Sequence, residues 1–140
     1  MNFITLCLLF VVFVGVQVGG CADEGACESQ SLDLRVGQEI SVAGQQLKIK
    51  FVAVREDSRC PVGVNCIWAG NARIALKLTQ DETKTVEVEL NTANQSREAT
   101  YANYIVKLVD LAPRPVEGKK LDAGDYVATL AVTKLSLIHI

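Results

Sequence analysis

Apolar residues recur at every second position in a series of short segments of this chain, and few folds tolerate that pattern. Leu32, Leu34 and Val36 alternate with Asp33 and Arg35, and after Gly37 a second extended piece holds Ile40 and Val42. Ala43-Gly44-Gln45 turns the chain into Leu47, Ile49, Phe51 and Ala53, whose β-branched and aromatic content suits a strand. Ala72, Ile74, Leu76 and Leu78 line one face of a later segment. Val86, Val88 and Leu90 follow across the polar stretch Gln80–Lys84, as in a hairpin. Asn91–Thr100 reads as a polar connection. Tyr104, Val106 and Leu108 open the next strand, with Ile105 and Val109 as further candidates for burial. Pro113 and Pro115 lack an N–H donor and end it, and Tyr126, Ala128, Leu130 and Val132 make the last strand.

Period-two alternation with polar partners gives each sheet one dry face and one wet face, the habit of antiparallel sheets. No stretch carries a helical period. The expected fold is therefore all-β, an immunoglobulin-like antiparallel sandwich of about seven strands; a small β-barrel is the alternative. At 140 residues the chain fits one domain, placed at 31–134. The formal charge of −2, with both signs interspersed, leaves no basic stripe for nucleic acid.

Before that domain, residues 3–18 are nearly all apolar, and Val18-Gly19-Gly20-Cys21 follows. A short apolar core followed by small residues reads as a secretory signal over 1–20. Cys21 directly after two glycines resembles a bacterial lipobox, in which that cysteine is acylated and becomes the mature N-terminus. No Lys or Arg precedes the apolar run, and Val stands at position 18 where Leu is commonest. A plain signal peptide or an uncleaved anchor remain alternatives. Ala22 rather than Asp beside the cysteine resembles the outer-membrane class of Gram-negative lipoproteins. Residues 21–30 then form a polar tether. At the other end, Leu135–Ile140 (LSLIHI) resembles a translated sequencing adapter, which makes 135–140 a non-native tail and removes His139, the only histidine, from consideration. A genuine strand end is the alternative.

Glu56–Leu78 is the one stretch that alternation does not explain. It holds Cys60, Cys66 and the only tryptophan, Trp68. In an exported protein two such cysteines default to a disulfide, here with Pro61 and Gly63 between them to bend the chain. A ring this small restricts the unfolded chain by about 2–3 kcal/mol, so its larger value is to hold a loop in one shape. Trp68 is expected to cover the disulfide or anchor the loop to the core.

Other chemistry finds little footing. Five residues between Cys60 and Cys66 exceed the spacing of zinc-ligand pairs, and Met1 is the sole methionine, so neither a metal site nor a cofactor is expected. A redox pair wants a closer spacing at a helix start. Cys27 is left over if Cys21 is acylated, and Cys21–Cys27 is a possible second bridge if it is not. Without a native histidine no nucleophile gains a base, and Ser58 has no activating neighbour. Glu56 and Asp57 are adjacent in an extended chain and point apart, so they do not flank one glycosidic bond; Asp57 is expected to bond loop amides. The protein is not expected to be an enzyme.

The run Asp57-Ser58-Arg59-Cys60-Pro61, followed by Cys66-x-Trp68-x-Gly70, resembles the core motif of small uncharacterised bacterial lipoproteins. The likeness extends loosely from Gly37-Gln38-Glu39 to the strand of Tyr126. It implies export and a β fold and adds nothing on mechanism. The reading that follows is a cell-envelope binding module, lipid-anchored through Cys21, that presents the Arg59–Asn65 loop to an envelope or extracellular protein or glycan. Arg59, Asn65 and Trp68 are the candidate contact residues. An inhibitor of an exported hydrolase is the rival, and an enzyme with an unrecognised site the third reading.

Overall fold

A computed structural model of the chain describes residues 29–42, 44, 46–93 and 96–135. The apolar N-terminal run, Cys21, Cys27, turn residues Ala43 and Gln45, and His139 lie outside the described residues. Eight strands are present among those described: β1 Ser29–Arg35, β2 Glu39–Ser41, β3 Leu47–Asp57, β4 Ala72–Gln80, β5 Lys84–Asn91, β6 Glu98–Tyr101, β7 Tyr104–Ala112 and β8 Val127–Lys134. They form two four-stranded antiparallel sheets, ordered β1-β8-β7-β6 and β2-β3-β4-β5, stacked as an open sandwich.

The alternation becomes the core directly. Leu47, Ile49 and Phe51 of β3, Ile74, Leu76 and Leu78 of β4, and Leu90 of β5 meet Leu34 of β1, Tyr104, Val106 and Leu108 of β7, and Ala128, Leu130 and Val132 of β8. Burying one such aliphatic side chain contributes roughly 1.5–3 kcal/mol. A one-residue slip of β4 would turn Ile74, Leu76 and Leu78 outward. The loss would be comparable to the roughly 5–15 kcal/mol that holds a typical domain together. Register is thus set by hydrophobic pattern.

Immunoglobulin domains pair sequence-distant strands in both sheets. Here β2 to β5 form one meander and β6 to β8 another, and only β1–β8 joins strands distant in sequence. The eighth strand, β6, falls at the end of the stretch that reads as a polar connection. Its inward positions are Ala99 and Tyr101 alone, too few to print a period, and it pairs only with β7. Val109, a candidate for burial, is half exposed because the β7–β8 register shifts between Leu108 and Asp110 and ejects it from the alternation.

The strand directions define two poles. Ser29, the β4–β5 turn and Lys134 lie at one end. The β3–β4, β5–β6 and β7–β8 connections gather at the other, where Arg35 and Ala112 both stand opposite Val127. Seven residues of β1 separate the poles by roughly 24 Å of strand.

Candidate functional site: a locked, disulfide-pinned loop

Segment 58–71 links β3 to β4 at the second pole. Its base continues their ladder: Ser58 N donates to Asn71 O (2.7 Å), Asn71 N donates to Ser58 Oγ (3.2 Å), and Cys60 N donates to Ala69 O (3.2 Å). Gly70 has φ +71°, and a Cβ there would stand 1.9 Å from Ser58 O. Only glycine lets the two arms approach this closely. Beyond them, Val64 N donates to Pro61 O (3.2 Å) across a turn whose third residue, Gly63, has φ +85°, as a type II turn requires. The Cys60–Cys66 disulfide, Cα–Cα 5.9 Å, closes the ring.

Below the ring lies a polar lock. Arg59 Nε and Nη2 donate to the two carboxylate oxygens of Asp57, each at 2.8 Å, a bidentate pair. Arg59 Nη1 also donates to Leu111 O, and Nη2 to Pro113 O at 2.9 Å. Tyr126 Oη donates to Asp57 Oδ2 (3.0 Å) and Arg59 N donates to Asp57 Oδ1 (3.2 Å). The Arg59 and Asp57 side chains are only 10% and 9% exposed. Burial pushes the Asp57 carboxyl up, but the Arg59 guanidinium, its backbone amide and the Tyr126 hydroxyl outweigh it and hold Asp57 below its ordinary value. Burial first, then the bond to Asp57, raises the Tyr126 phenol above its own.

The lock has a second purpose. β6 begins at Glu98, opposite Lys107, so beyond Leu108 β7 keeps β8 on one side and, among the described residues, has no strand on the other. Leu111, Pro113 and Pro115 are alternate residues along that bare edge. Arg59 takes the first two carbonyls, and Val62 N donates to Pro115 O at 2.8 Å. The loop rooted in one sheet thereby satisfies the unpaired edge of the other. Asn71 adds a tie to the β5–β6 loop: its Nδ2 donates to Asn91 Oδ1 (2.9 Å) and its Oδ1 accepts from Ala93 N (3.0 Å).

Above the lock the chemistry reverses. Trp68 is 82% exposed and Ile67 91%, with Val62 and Val116 about half exposed nearby, joined in a short parallel bridge. The expectation that Trp68 anchors the loop to the core is corrected: the lock and Leu111 already close the sandwich, and the hairpin carries Trp68 past them. Arg59, expected as a contact residue, is the side chain that does the anchoring. Asn65 is exposed on the ring. Asp57 does accept a loop amide, and its chief partners are side chains. Ile67, Asn71 and Tyr126 were not singled out by sequence as parts of this site. A signal for Ile67 existed, because Ile67-Trp68 is a pair of large apolar residues in a segment with no alternation to absorb them.

Reactive chemistry is scarce here. Glu56 faces away toward Arg73, 3.7 Å away. Asp57, held ionised by Arg59, has no proton to give near neutrality. Among the described residues no group of three or more His, Cys, Asp or Glu side chains could hold a metal ion. Comparison of the chain with protein-family models, with curated proteins and with solved structures returned no match.

Proposed function

We propose that this chain is an exported binding module, lipid-anchored at Cys21, that uses the Ile67–Trp68 tip of its disulfide loop to hold an envelope or extracellular protein. The observation that carries this reading is a pair of large apolar side chains standing almost wholly in water on a loop fixed by a disulfide, a buried ion pair and sheet-edge hydrogen bonds. Hydrophobic residues scattered singly in water need no explanation, whereas contiguous exposed apolar surface marks interaction sites. A preorganised loop loses little entropy on binding, and tryptophan is enriched among residues that dominate interface energetics. The disulfide fits an oxidising compartment. The tether would enter at Ser29, at the pole opposite the loop, so an N-terminal anchor would leave the tip facing outward, roughly 24 Å of strand away from it. In this reading Arg59 positions the loop, and Ile67, Trp68 and Asn65 make contact.

The test is capture from an envelope extract by the wild-type chain and by an Ile67→Ser/Trp68→Ser variant, with melting temperatures measured alongside. Loss of a captured protein at unchanged melting temperature is expected. Equal capture by both would overturn the proposal. The protruding ring also suits a wedge that blocks an exported hydrolase. That second reading predicts stoichiometric loss of a hydrolase's activity, abolished by the same variant.

A further inference from the structure

Beside the tip lies a cleft of about 440 Å³, walled by the hairpin at Cys60, Ala69 and Gly70, by the β5–β6 loop and by β7. Three arginines line it, Arg59, Arg97 and Arg114, with one carboxylate, Asp110. Arg59 is neutralised by Asp57. Arg97 donates through Nε to Thr92 O at 2.6 Å, which fixes the plane of its guanidinium and leaves both terminal amino groups without a partner among the described residues. Arg114 is exposed and forms no ion pair among the described residues. The β7 bulge adds an apolar surface to the cleft by turning Val109 out.

We infer that this cleft is a carboxylate-binding subsite, and that the segment held by the Ile67–Trp68 tip carries a carboxylate into it. The inference rests on the reading of the tip as a protein-binding surface. Charge selects the ligand: Arg97 and Arg114 set against Asp110 leave one net positive charge, which matches a carboxylate and falls short of a phosphate dianion. Geometry selects it too, because a guanidinium held in one plane presents paired donors that match the two oxygens of a carboxylate. Val109, exposed in the same cleft, would cover the aliphatic part of the residue that bears the acid.

The test needs no captured partner. The full chain is titrated with N-acetyl-leucine, N-acetyl-glutamate α-amide, N-acetyl-leucinamide, glucuronate and inorganic phosphate, following arginine Nε–H and Val109 methyl resonances. Either peptide acid should shift Arg97, Arg114 and Val109, and the stronger one tells whether a chain terminus or an acidic side chain is the source. The neutral amide should not. Arg114→Gln, which removes no ion pair among the described residues, should weaken binding about tenfold at unchanged melting temperature, whereas Asp110→Asn should strengthen it. Equal shifts from the acid and the amide would overturn the assignment, as would shifts at the opposite pole or tighter binding of phosphate, while tighter binding of glucuronate would overturn the protein segment as the source of the carboxylate. If the acids bind but no protein is captured, the presenting-tip reading fails and the cleft stands. If capture depends on Trp68 while the acids do not bind, the cleft fails alone.

Discussion

At the base of segment 58–71, the Arg59 and Asp57 side chains are about nine-tenths out of water and paired with each other; at its tip, Ile67 and Trp68 stand almost wholly in water. A folding chain ordinarily places these residue types the other way round. The inversion separates two tasks. Hydrogen bonds and the disulfide fix the loop without help from its apolar residues, so the apolar residues remain free for another surface. The same ion-pair chemistry also occurs on the outer face of the β3-β4-β5 sheet, where Arg55 and Glu87 meet at 2.8 Å with both side chains over 40% exposed. Exposed pairs of that kind contribute about 0–1 kcal/mol. Removing one partner of a buried pair costs about 3–5 kcal/mol, because the other charge is left stranded. Location decides the difference, not residue type.

The comparison breaks first at Arg59. Arg59→Ala strands Asp57 and the Leu111 and Pro113 carbonyls, and should lower unfolding stability by about 3 kcal/mol in urea titrations; a loss under about 1 kcal/mol would mean the base is no lock. Gly70→Ala places a methyl group against Ser58 O at a positive φ, and should cost about 2–3 kcal/mol or spring the hairpin arms apart. Hydrogen exchange at Cys60 N and Asn71 N distinguishes the two outcomes. Cys60→Ser/Cys66→Ser should remove about 2 kcal/mol and open the ring to proteolysis, while the Tyr126–Asp57 contact survives.

The pH dependence sharpens the same contrast. Asp57 has a lowered folded-state value, so its contribution is complete above the unfolded carboxyl value near 4 and is lost as pH falls from there through the folded value. Tyr126 has a raised one, so its contribution is complete below about 10 and is lost as pH rises through the folded value. Asp57→Asn should flatten the acid limb of the wild-type stability profile; an unchanged limb would place the acid-sensitive group elsewhere. The smallest effect belongs to the tip. Trp68→Ser should change stability by no more than about 0.5 kcal/mol, and wild-type tryptophan fluorescence should already be that of a solvated indole before unfolding.

Much of the sandwich was legible because alternation is local. Each of Leu47, Ile49 and Phe51 announces its face through its immediate neighbours, and the β4–β5 hairpin does the same across its polar turn. β6 escaped because two inward residues cannot define a period. Val109 escaped because a bulge depends on how two strands register. At the loop, sequence pointed to Cys60, Cys66 and Trp68 as a unit, and the disulfide is present. It named Arg59, Asn65 and Trp68 together as contact residues while expecting Trp68 to reach the core; Arg59 is the one drawn out of water, because a loop arginine reads as solvated until its partners are in place, and Trp68 stays exposed. Sequence by itself determined that the chain forms strands, which faces are dry, and where it must bend. Only tertiary structure decided that Asp57, Arg59, Leu111, Pro113 and Tyr126 converge. They come from three separate parts of the chain, and the condition they satisfy is that a bare β7 edge and a buried carboxylate must find partners across the pole of the sandwich. That condition appears only when the two sheets stack, and it leaves Ile67 and Trp68 outside.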